Sequence, residues 1–179
     1  QQIFTAAVSP GGAPQLVTWT VIGGTANGSV DNTGRYIAPA TMPASNTVTI
    51  RATSVSTPVF GEATVTLKPL PNSILVTTGA SFPGPSQVAL FANIQFTATI
   101  DPPDAPQQVF WTIDWNGSSQ GSGNATVGNI GATGQYFAPT TLPTPSQIYV
   151  RARSQVAGAV TDDYLVELIA PPPTSFQVS

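Results

Sequence analysis

Residues 33–54 read Thr-Gly-Arg-Tyr-Ile-Ala-Pro-Ala-Thr-Met-Pro-Ala-Ser-Asn-Thr-Val-Thr-Ile-Arg-Ala-Thr-Ser, and residues 133–154 read Thr-Gly-Gln-Tyr-Phe-Ala-Pro-Thr-Thr-Leu-Pro-Thr-Pro-Ser-Gln-Ile-Tyr-Val-Arg-Ala-Arg-Ser. The two stretches align without a gap at an offset of 100 residues and share Thr-Gly-x-Tyr-x-Ala-Pro. Each ends in an alternating run that is typical of a half-buried strand. A self-match of this length indicates two copies of one structural unit.

The repeat extends on both sides of these stretches. Residues 2–19 match residues 94–111 at an offset of 92, and residues 61–67 match residues 162–168 at an offset of 101. Apolar and polar residues alternate in these segments, and Pro and Gly separate them, which indicates short strands joined by turns. No segment has the periodicity of a helix. The sequence therefore predicts an all-β chain.

Composition excludes several classes of function. Charged residues make up only 7% of the 179-residue chain, against about 25% in ordinary soluble domains. The net charge of −3 argues against a nucleic-acid partner, since phosphate binding needs clustered Lys and Arg. No apolar run approaches the roughly 20 residues of a membrane span.

The sequence also lacks the side chains of the commonest reactive sites. It has no cysteine and no histidine, and histidine is the usual general base and the commonest metal ligand. We therefore expect no enzyme, no catalytic residue, no cofactor and no metal site.

Several motifs resemble a known family. Gln-Gln-Ile-Phe-Thr-Ala-Ala-Val (residues 1–8), Val-Thr-Trp-Thr-Val (residues 17–21) and Val-Thr-Ile-Arg-Ala-Thr-Ser (residues 48–54), with the shared Thr-Gly-x-Tyr-x-Ala-Pro, are similar to bacterial immunoglobulin-like (Ig-like) repeats of the group 2 type. The resemblance implies Ig-like β-sandwiches in tandem, at an extracellular or cell-surface location. It also implies glycans or a host or cell surface as partners. Such repeats serve adhesins, spacers and enzyme appendages alike, so the resemblance leaves function open.

On this basis we predict two tandem Ig-like β-sandwich domains. The first spans residues 1–69, the second spans 70–170, and residues 171–179 form a proline linker followed by an extra strand. The extra strand is predicted because Pro-Thr-Ser-Phe-Gln-Val (173–178) parallels Pro-Asn-Ser-Ile-Leu-Val (71–76) at an offset of 102.

The two copies begin at different points. The second copy opens with a predicted A strand at 74–77 and a short apolar piece at 88–91, followed by the B strand at 94–100. Gln1 aligns with Asn93, so the first copy begins directly at its B strand. The first domain is therefore predicted to lack its own A strand, which leaves an open sheet edge of the kind that proteins normally cover.

The open sheet edge of the first domain and the unpaired extra strand at the C-terminus suggest that the strand fills the edge. We predict that the C-terminal strand of one copy adds to the first domain of the next copy, which is donor-strand complementation. Repeated head to tail, this contact builds an open homopolymer, so the chain's main partner is itself and its function is that of a structural subunit of an extracellular filament. The predicted donor residues are Thr174, Phe176 and Val178, and the predicted acceptor residues are Phe4, Ala6, Val8, Val65 and Leu67.

The energy of this contact is modest. Burying Phe176 and Val178 contributes about 1.5–3 kcal/mol each, while association itself costs about 4–15 kcal/mol. A six-residue donor is therefore marginal alone, and contacts between domains would have to add to it.

Another reading of the chain ends remains open. The chain also fits a piece of a longer array, in which it is a spacer or binding Ig-like module of a larger bacterial surface adhesin. In that case it is monomeric in solution.

Individual residues carry further expectations. The aromatic residues at repeated positions (Trp19, Trp111, Tyr36 and Tyr136) are expected in the cores rather than on a sugar-stacking platform. Trp115 has no counterpart in the first copy and is a candidate surface contact.

The charged and sequon residues complete the expectations. Arg51 and Arg151 are expected to point into solvent by alternation. Asp162, Asp163 and Glu167 are weighed as calcium ligands, but a solvated strand edge is favoured. Asn27, Asn116 and Asn124 begin Asn-x-Ser/Thr sequons in predicted loops and are candidate glycosylation sites.

Overall fold

The structure, a computed structural model, describes residues 1–79 and 86–171. The chain divides into two compact units, Gln1–Pro69 and Leu70–Ser179. Strands make up the regular structure of both, apart from a single 3-10 turn at Gly24–Asn27 within the described ranges. The prediction of an all-β fold with two Ig-like β-sandwich domains is confirmed.

The first domain contains two small antiparallel sheets. One has the strand order β1-β4-β3 and the other has the order β2-β5-β6. Their strands are β1 (Gln2–Ile3), β2 (Val17–Val21), β3 (Ser29–Val30), β4 (Arg35–Ile37), β5 (Thr47–Ser54) and β6 (Phe60–Thr66).

The second domain contains two larger sheets, with the orders β12-β13-β14-β9-β7 and β11-β10-β15-β16-β8. All pairs are antiparallel except β8 with β16. The strands are β7 (Ser73–Thr78), β8 (Ser86–Ala89), β9 (Asn93–Asp101), β10 (Val109–Trp115), β11 (Ser118–Ser119), β12 (Gly123–Asn124), β13 (Gly128–Ile130), β14 (Gln135–Phe137), β15 (Gln147–Ser154) and β16 (Thr161–Ile169).

The repeated Thr-Gly-x-Tyr motif fixes the turn before β4 and β14. Gly34 and Gly134 have φ values of +80° and +83°, which residues with a Cβ rarely adopt. A Cβ at Gly134 would also collide with the carbonyl oxygen of Phe96. The carbonyl oxygens of these glycines instead accept hydrogen bonds of 2.9 Å from the backbone N–H groups of Phe4 and Phe96. The motif thus attaches each B strand to its sheet.

The tyrosine of the motif lies in the core of each domain. Tyr36 Oη donates to the backbone oxygen of Asn27 at 2.6 Å, and Tyr136 Oη donates to that of Val127 at 2.6 Å. Burial raises the pKa of Tyr136 well above its usual value. Both tyrosines are fully buried, as expected for core residues whose hydroxyl needs a partner.

One predicted strand is shorter than expected. Only Gln2–Ile3 forms a strand where the alternation predicts a strand over residues 2–8, whereas its counterpart in the second domain runs over Asn93–Asp101. In the second domain β7 pairs with β9 from Phe96 to Asp101. Among the described residues no strand pairs with residues 4–8, so this segment lacks the ladder that makes its counterpart a strand.

Candidate acceptor groove in the first domain

The first domain contains an open groove along residues 4–8. Its volume is about 420 Å³. One wall is the segment from Phe4 to Ser9, and the facing wall is the start of β6. The floor comes from β2 and β5, and the lining residues include Phe4, Ala6, Val8, Val17, Trp19, Ile50, Ala52, Val59, Phe60, Gly61 and Ala63.

The second domain fills the corresponding space with its own chain. There β7 lies along β9, with Ile74 opposite Ile100 and Val76 opposite Ala98. Ile74 and Val76 are both buried in the core of that domain. Among residues 1–79 and 86–171, no strand takes the place of β7 in the first domain.

The side chains beside the groove are less buried than their counterparts in the second domain. Phe96 and Ile100 are each only 1% exposed, while Phe4 and Val8, their counterparts at an offset of 92, are half-buried. Ile50 of the first domain, on β5, is as fully buried as Val150 in the second. The core of the first domain is thus complete on β5 and incomplete beside residues 4–8.

The hydrogen bonds of Phe4 and Val8 leave the outer edge of the segment available. Phe4 N–H donates to Gly34, and Val8 N–H and C=O bond the side chain of Gln15 at 2.9 and 2.8 Å. Gln107 bonds Ile100 in the same way in the second domain. The counterparts of Thr5 and Ala7 are Thr97 and Thr99, which pair with Thr77 and Leu75 of β7. The backbone groups of Thr5 and Ala7 are therefore the ones that an added strand would meet.

Two substitutions between the repeats widen the groove. Tyr164, whose ring packs 5.5 Å from that of Phe96, is replaced by Ala63 at the same position of β6. Asp162, whose carboxylate accepts a 2.8 Å hydrogen bond from Val76 N, is replaced by Gly61. The first domain therefore lacks both the ring that packs on Phe96 of the B strand and the carboxylate that bonds the A strand in the second domain.

One rim of the groove is held by an ion pair. Arg51 bonds Glu62 with an Nη2–Oε1 distance of 2.6 Å, and its guanidinium lies 4.2 Å from the centre of the Phe60 ring. Arg151 makes the equivalent pair with Asp163, whose hydrogen bonds raise the pKa of Arg151. The arginines lie on the outer face as expected, but they are half-buried and paired rather than simply solvated.

The predicted acceptor residues fall in two places. Phe4, Ala6 and Val8 line the groove, whereas Val65 and Leu67 pack against the core cluster of the first domain. The counterparts of Val65 and Leu67, on β16, pair with β8, so these two residues mark a second open edge. The predicted donor residues Thr174, Phe176 and Val178 lie outside the described residues.

The acidic residues that sequence analysis weighed for calcium are dispersed among protein partners. Asp162 bonds Val76, Asp163 bonds Arg151, and Glu167 accepts a 3.1 Å hydrogen bond from Gln87. Within residues 1–79 and 86–171 no three acidic, His or Cys side chains are grouped to hold a metal.

Trp115 is anchored rather than free. Its ring is half-buried against the core of the second domain, and its Nε1–H donates to the backbone oxygen of Pro145 at 2.9 Å. A role as a surface contact is therefore limited to the exposed part of the ring.

The three sequon asparagines differ in accessibility. Asn27 is half-buried and its Nδ2 donates to Ile22 O at 2.8 Å, so a glycan there would break that bond. Asn124 uses its side chain to cap Thr126 and Val127. Asn116 is exposed in the turn between β10 and β11 with φ of 50°. Asn116 and Asn124 are both exposed, so Asn27 is the least accessible of the three.

Comparisons with known proteins give no family. No family model matches the chain, and no curated protein matches it. The chain is similar to the solved structure of Titin-A168169, with 14% identity over 87% of this chain and 83% of that one and a TM-score of 0.43. It is also similar to extracellular domains 3–5 of Drosophila OTK, with 14% identity over 86% of this chain and 50% of that one and a TM-score of 0.36. Neither likeness assigns a ligand or an activity.

In the part of the chain that the structure describes, no helix has the length and apolarity to cross a bilayer.

Proposed function

We propose that the chain is a structural subunit of an extracellular filament, in which residues 174–178 of one copy occupy the groove of the first domain of the next. The observation that carries the proposal is the groove itself. It is open along residues 4–8, while the same space in the second domain holds β7. We include in the proposal that both domains are Ig-like repeats of the bacterial group 2 type.

The tail sequence suits the groove in the register of β7. At the offset of 102, Phe176 takes the place of Ile74 and Val178 that of Val76. In that register Phe176 faces Val8, where the second domain pairs Ile74 with Ile100. Phe176 is larger than Ile74, and Val8 is smaller than Ile100. The two differences offset each other, so the packed volume stays similar.

The contact is heterologous, because the tail and the groove belong to different parts of the chain. Head-to-tail repetition of such a contact produces an open filament rather than a closed ring or dimer, unless the rotation closes. Ladder hydrogen bonds to the backbone of Thr5 and Ala7 would supply the main-chain part of the recognition.

A second candidate is a spacer or binding module of a larger surface adhesin. The two proline linkers favour it, since Pro-Leu-Pro (69–71) and Pro-Pro-Pro (171–173) precede similar sequences, as they would in a longer array. In an array the groove would receive a strand from the same polypeptide.

Assembly of the chain in solution separates the two candidates. A filament subunit forms head-to-tail polymers as the concentration is raised, which electron microscopy and sedimentation velocity detect. A species that stays at 18.4 kDa at every concentration contradicts the filament and favours the adhesin module.

A further inference from the structure

The end of the first domain next to the groove is unusually apolar. Leu16, Val55, Val59 and Phe60 are all exposed there, and we call these four residues the entry face. Val55 N–H donates to Leu16 O at 3.0 Å, and Ser54 N–H donates to Val59 O at 2.9 Å. The four side chains therefore belong to adjoining backbone segments at one end of the sandwich.

The second domain has the same backbone at this end, with polar side chains at three of the four entry-face positions and Val160 in the place of Val59. Gln155 N–H donates to Gln108 O at 3.0 Å, which reproduces the bond between Val55 and Leu16. Gln108, Gln155 and Thr161 stand where the first domain has Leu16, Val55 and Phe60. The fold therefore forms without apolar residues at these three positions. Exposed apolar patches of this kind mark protein interaction sites.

The second domain carries an exposed aromatic pair of its own. Phe91 is 68% exposed and Phe137 is 54% exposed, and we call this pair the exit face. Phe91 has φ of 65°, a conformation that is unfavourable for a bulky residue. Phe91 N–H approaches Pro139 O at 3.3 Å, and Leu90 N–H donates to Ile169 O at 3.0 Å. Phe91 therefore follows directly after a residue bonded to the end of β16, and Phe137 lies on β14, two residues before the Pro139 that Phe91 approaches.

We propose that the exit face of one copy packs on the entry face of the next copy, as a second contact beside the donor strand. The inference rests on the proposed function, because the tail decides which ends of the two molecules meet. In the second domain, Asn72 N–H donates to Asp101 O, so the chain enters beside the end of the B strand. The same register in the first domain brings the linker past Ser9, and the preceding Val8 bonds Gln15, the neighbour of Leu16 in the chain.

The length of the linker keeps the two faces close. Residues 170–173 span at most about 14 Å when fully extended, at about 3.5 Å per residue. Apolar residues on both faces then exclude water together, which supplies the domain contact that a short donor strand needs. Phe91 is exposed and has an unfavourable backbone conformation, a combination that is found at binding sites.

The test uses variants that leave the groove unchanged. Leu16→Gln with Val55→Gln copies the second domain's residues, and neither position lines the groove. Phe91→Asn removes the aromatic ring while placing at φ of 65° a residue that tolerates it. Leu75→Gln is the control, since Leu75 is exposed on the outer face of β7, away from both end faces.

We expect the entry-face and exit-face variants each to raise the critical concentration for assembly about tenfold or more. Leu75→Gln should assemble as the parent does. Phe91→Asn should melt at the same temperature or higher, which a merely structural role for Phe91 would not give. Unchanged critical concentrations in both variants would overturn the end-face contact.

Binding of a synthetic peptide of residues 171–179 to a chain lacking its tail separates the two proposals. Normal peptide binding by every variant, with assembly weakened only in the end-face variants, supports both. Normal peptide binding with unaltered assembly removes the end-face contact alone. A parent chain that neither binds the peptide nor assembles overturns the proposed function and the end-face contact together.

Discussion

A chain that ends at Pro173 is expected to remain dispersed at concentrations at which the complete chain assembles. Removing residues 174–179 deletes both apolar donor residues and every ladder bond that the tail could make to residues 4–8. No other strand in the described residues pairs with that segment, so the deletion leaves the groove empty. Sedimentation velocity of the two chains side by side measures the effect.

Single substitutions resolve which tail residues matter. Phe176→Ser and Val178→Ser should each weaken assembly about tenfold to a hundredfold, since each loses about 1.5–3 kcal/mol of burial. Gln177→Ser is the matched control, because alternation directs residue 177 away from the groove. Equal loss in all three variants, or assembly by the shortened chain, would show that the tail is not a donor strand.

Supplying the missing strand within the same chain should stabilise the first domain and prevent assembly. Gln1 aligns with Asn93, so a copy of residues 70–92 joined ahead of Gln1 places Ile74 and Val76 opposite Val8 and Ala6. The burial of two side chains at about 1.5–3 kcal/mol each, less the cost of ordering the strand, should raise the thermal midpoint of this domain by about 10 °C or more. Calorimetry in a tail-less background measures this without interference from assembly.

The control for the graft keeps its length and changes its apolar face. With Ile74→Asp and Val76→Asp in the grafted copy, we expect no rise in midpoint. With the tail present, only the intact graft should abolish assembly, because it occupies the groove. A graft that leaves the midpoint unchanged would mean that the groove does not accept an A strand.

Much of the fold could be predicted from the repeated stretch alone. The alternating runs that end at Ser54 and Ser154 form strands as predicted, because local backbone preference and burial agree there. The comparison of the two copies also located the candidate site, since a strand present in one copy had no counterpart in the other. The register of a strand follows directly from such an alignment because side chains alternate with a period of two.

The detailed form of the groove could not be predicted in this way. The replacements at Gly61 and Ala63 show their effect only once Asp162 is seen bonded to Val76 of the A strand and Tyr164 packed on Phe96 of the B strand. Alternation likewise gave the outward direction of Arg51 but not its ion pair, which depends on the register of β5 with β6. Contacts between strands that are distant in sequence decide these features.

The position of Val65 and Leu67 shows the same limit. Sequence analysis grouped them with Phe4, Ala6 and Val8 as one set of predicted acceptor residues. The pairing of β8 with β16 separates them, since the unit has two edge segments, one on each sheet. Nothing in a single strand's pattern states which sheet its neighbour joins.

Disulfide trapping tests the central claim most directly, because the chain has no cysteine of its own. In the second domain, Ala98 lies opposite Val76. The backbone N–H groups of Phe96 and Ile100 point away from β7, toward Gly134 and Gln107, and those of Ala98 point the same way. Ala98 and Val76 are therefore a non-hydrogen-bonded pair. Such pairs bring side chains within reach of a disulfide. An Ala6→Cys chain mixed with a Val178→Cys chain should therefore form an intermolecular disulfide rapidly on oxidation. An Ala7→Cys chain mixed with the same partner should not, since a shift of one residue turns the side chain to the other face. Equal trapping at both positions, or none at Ala6, would contradict the account.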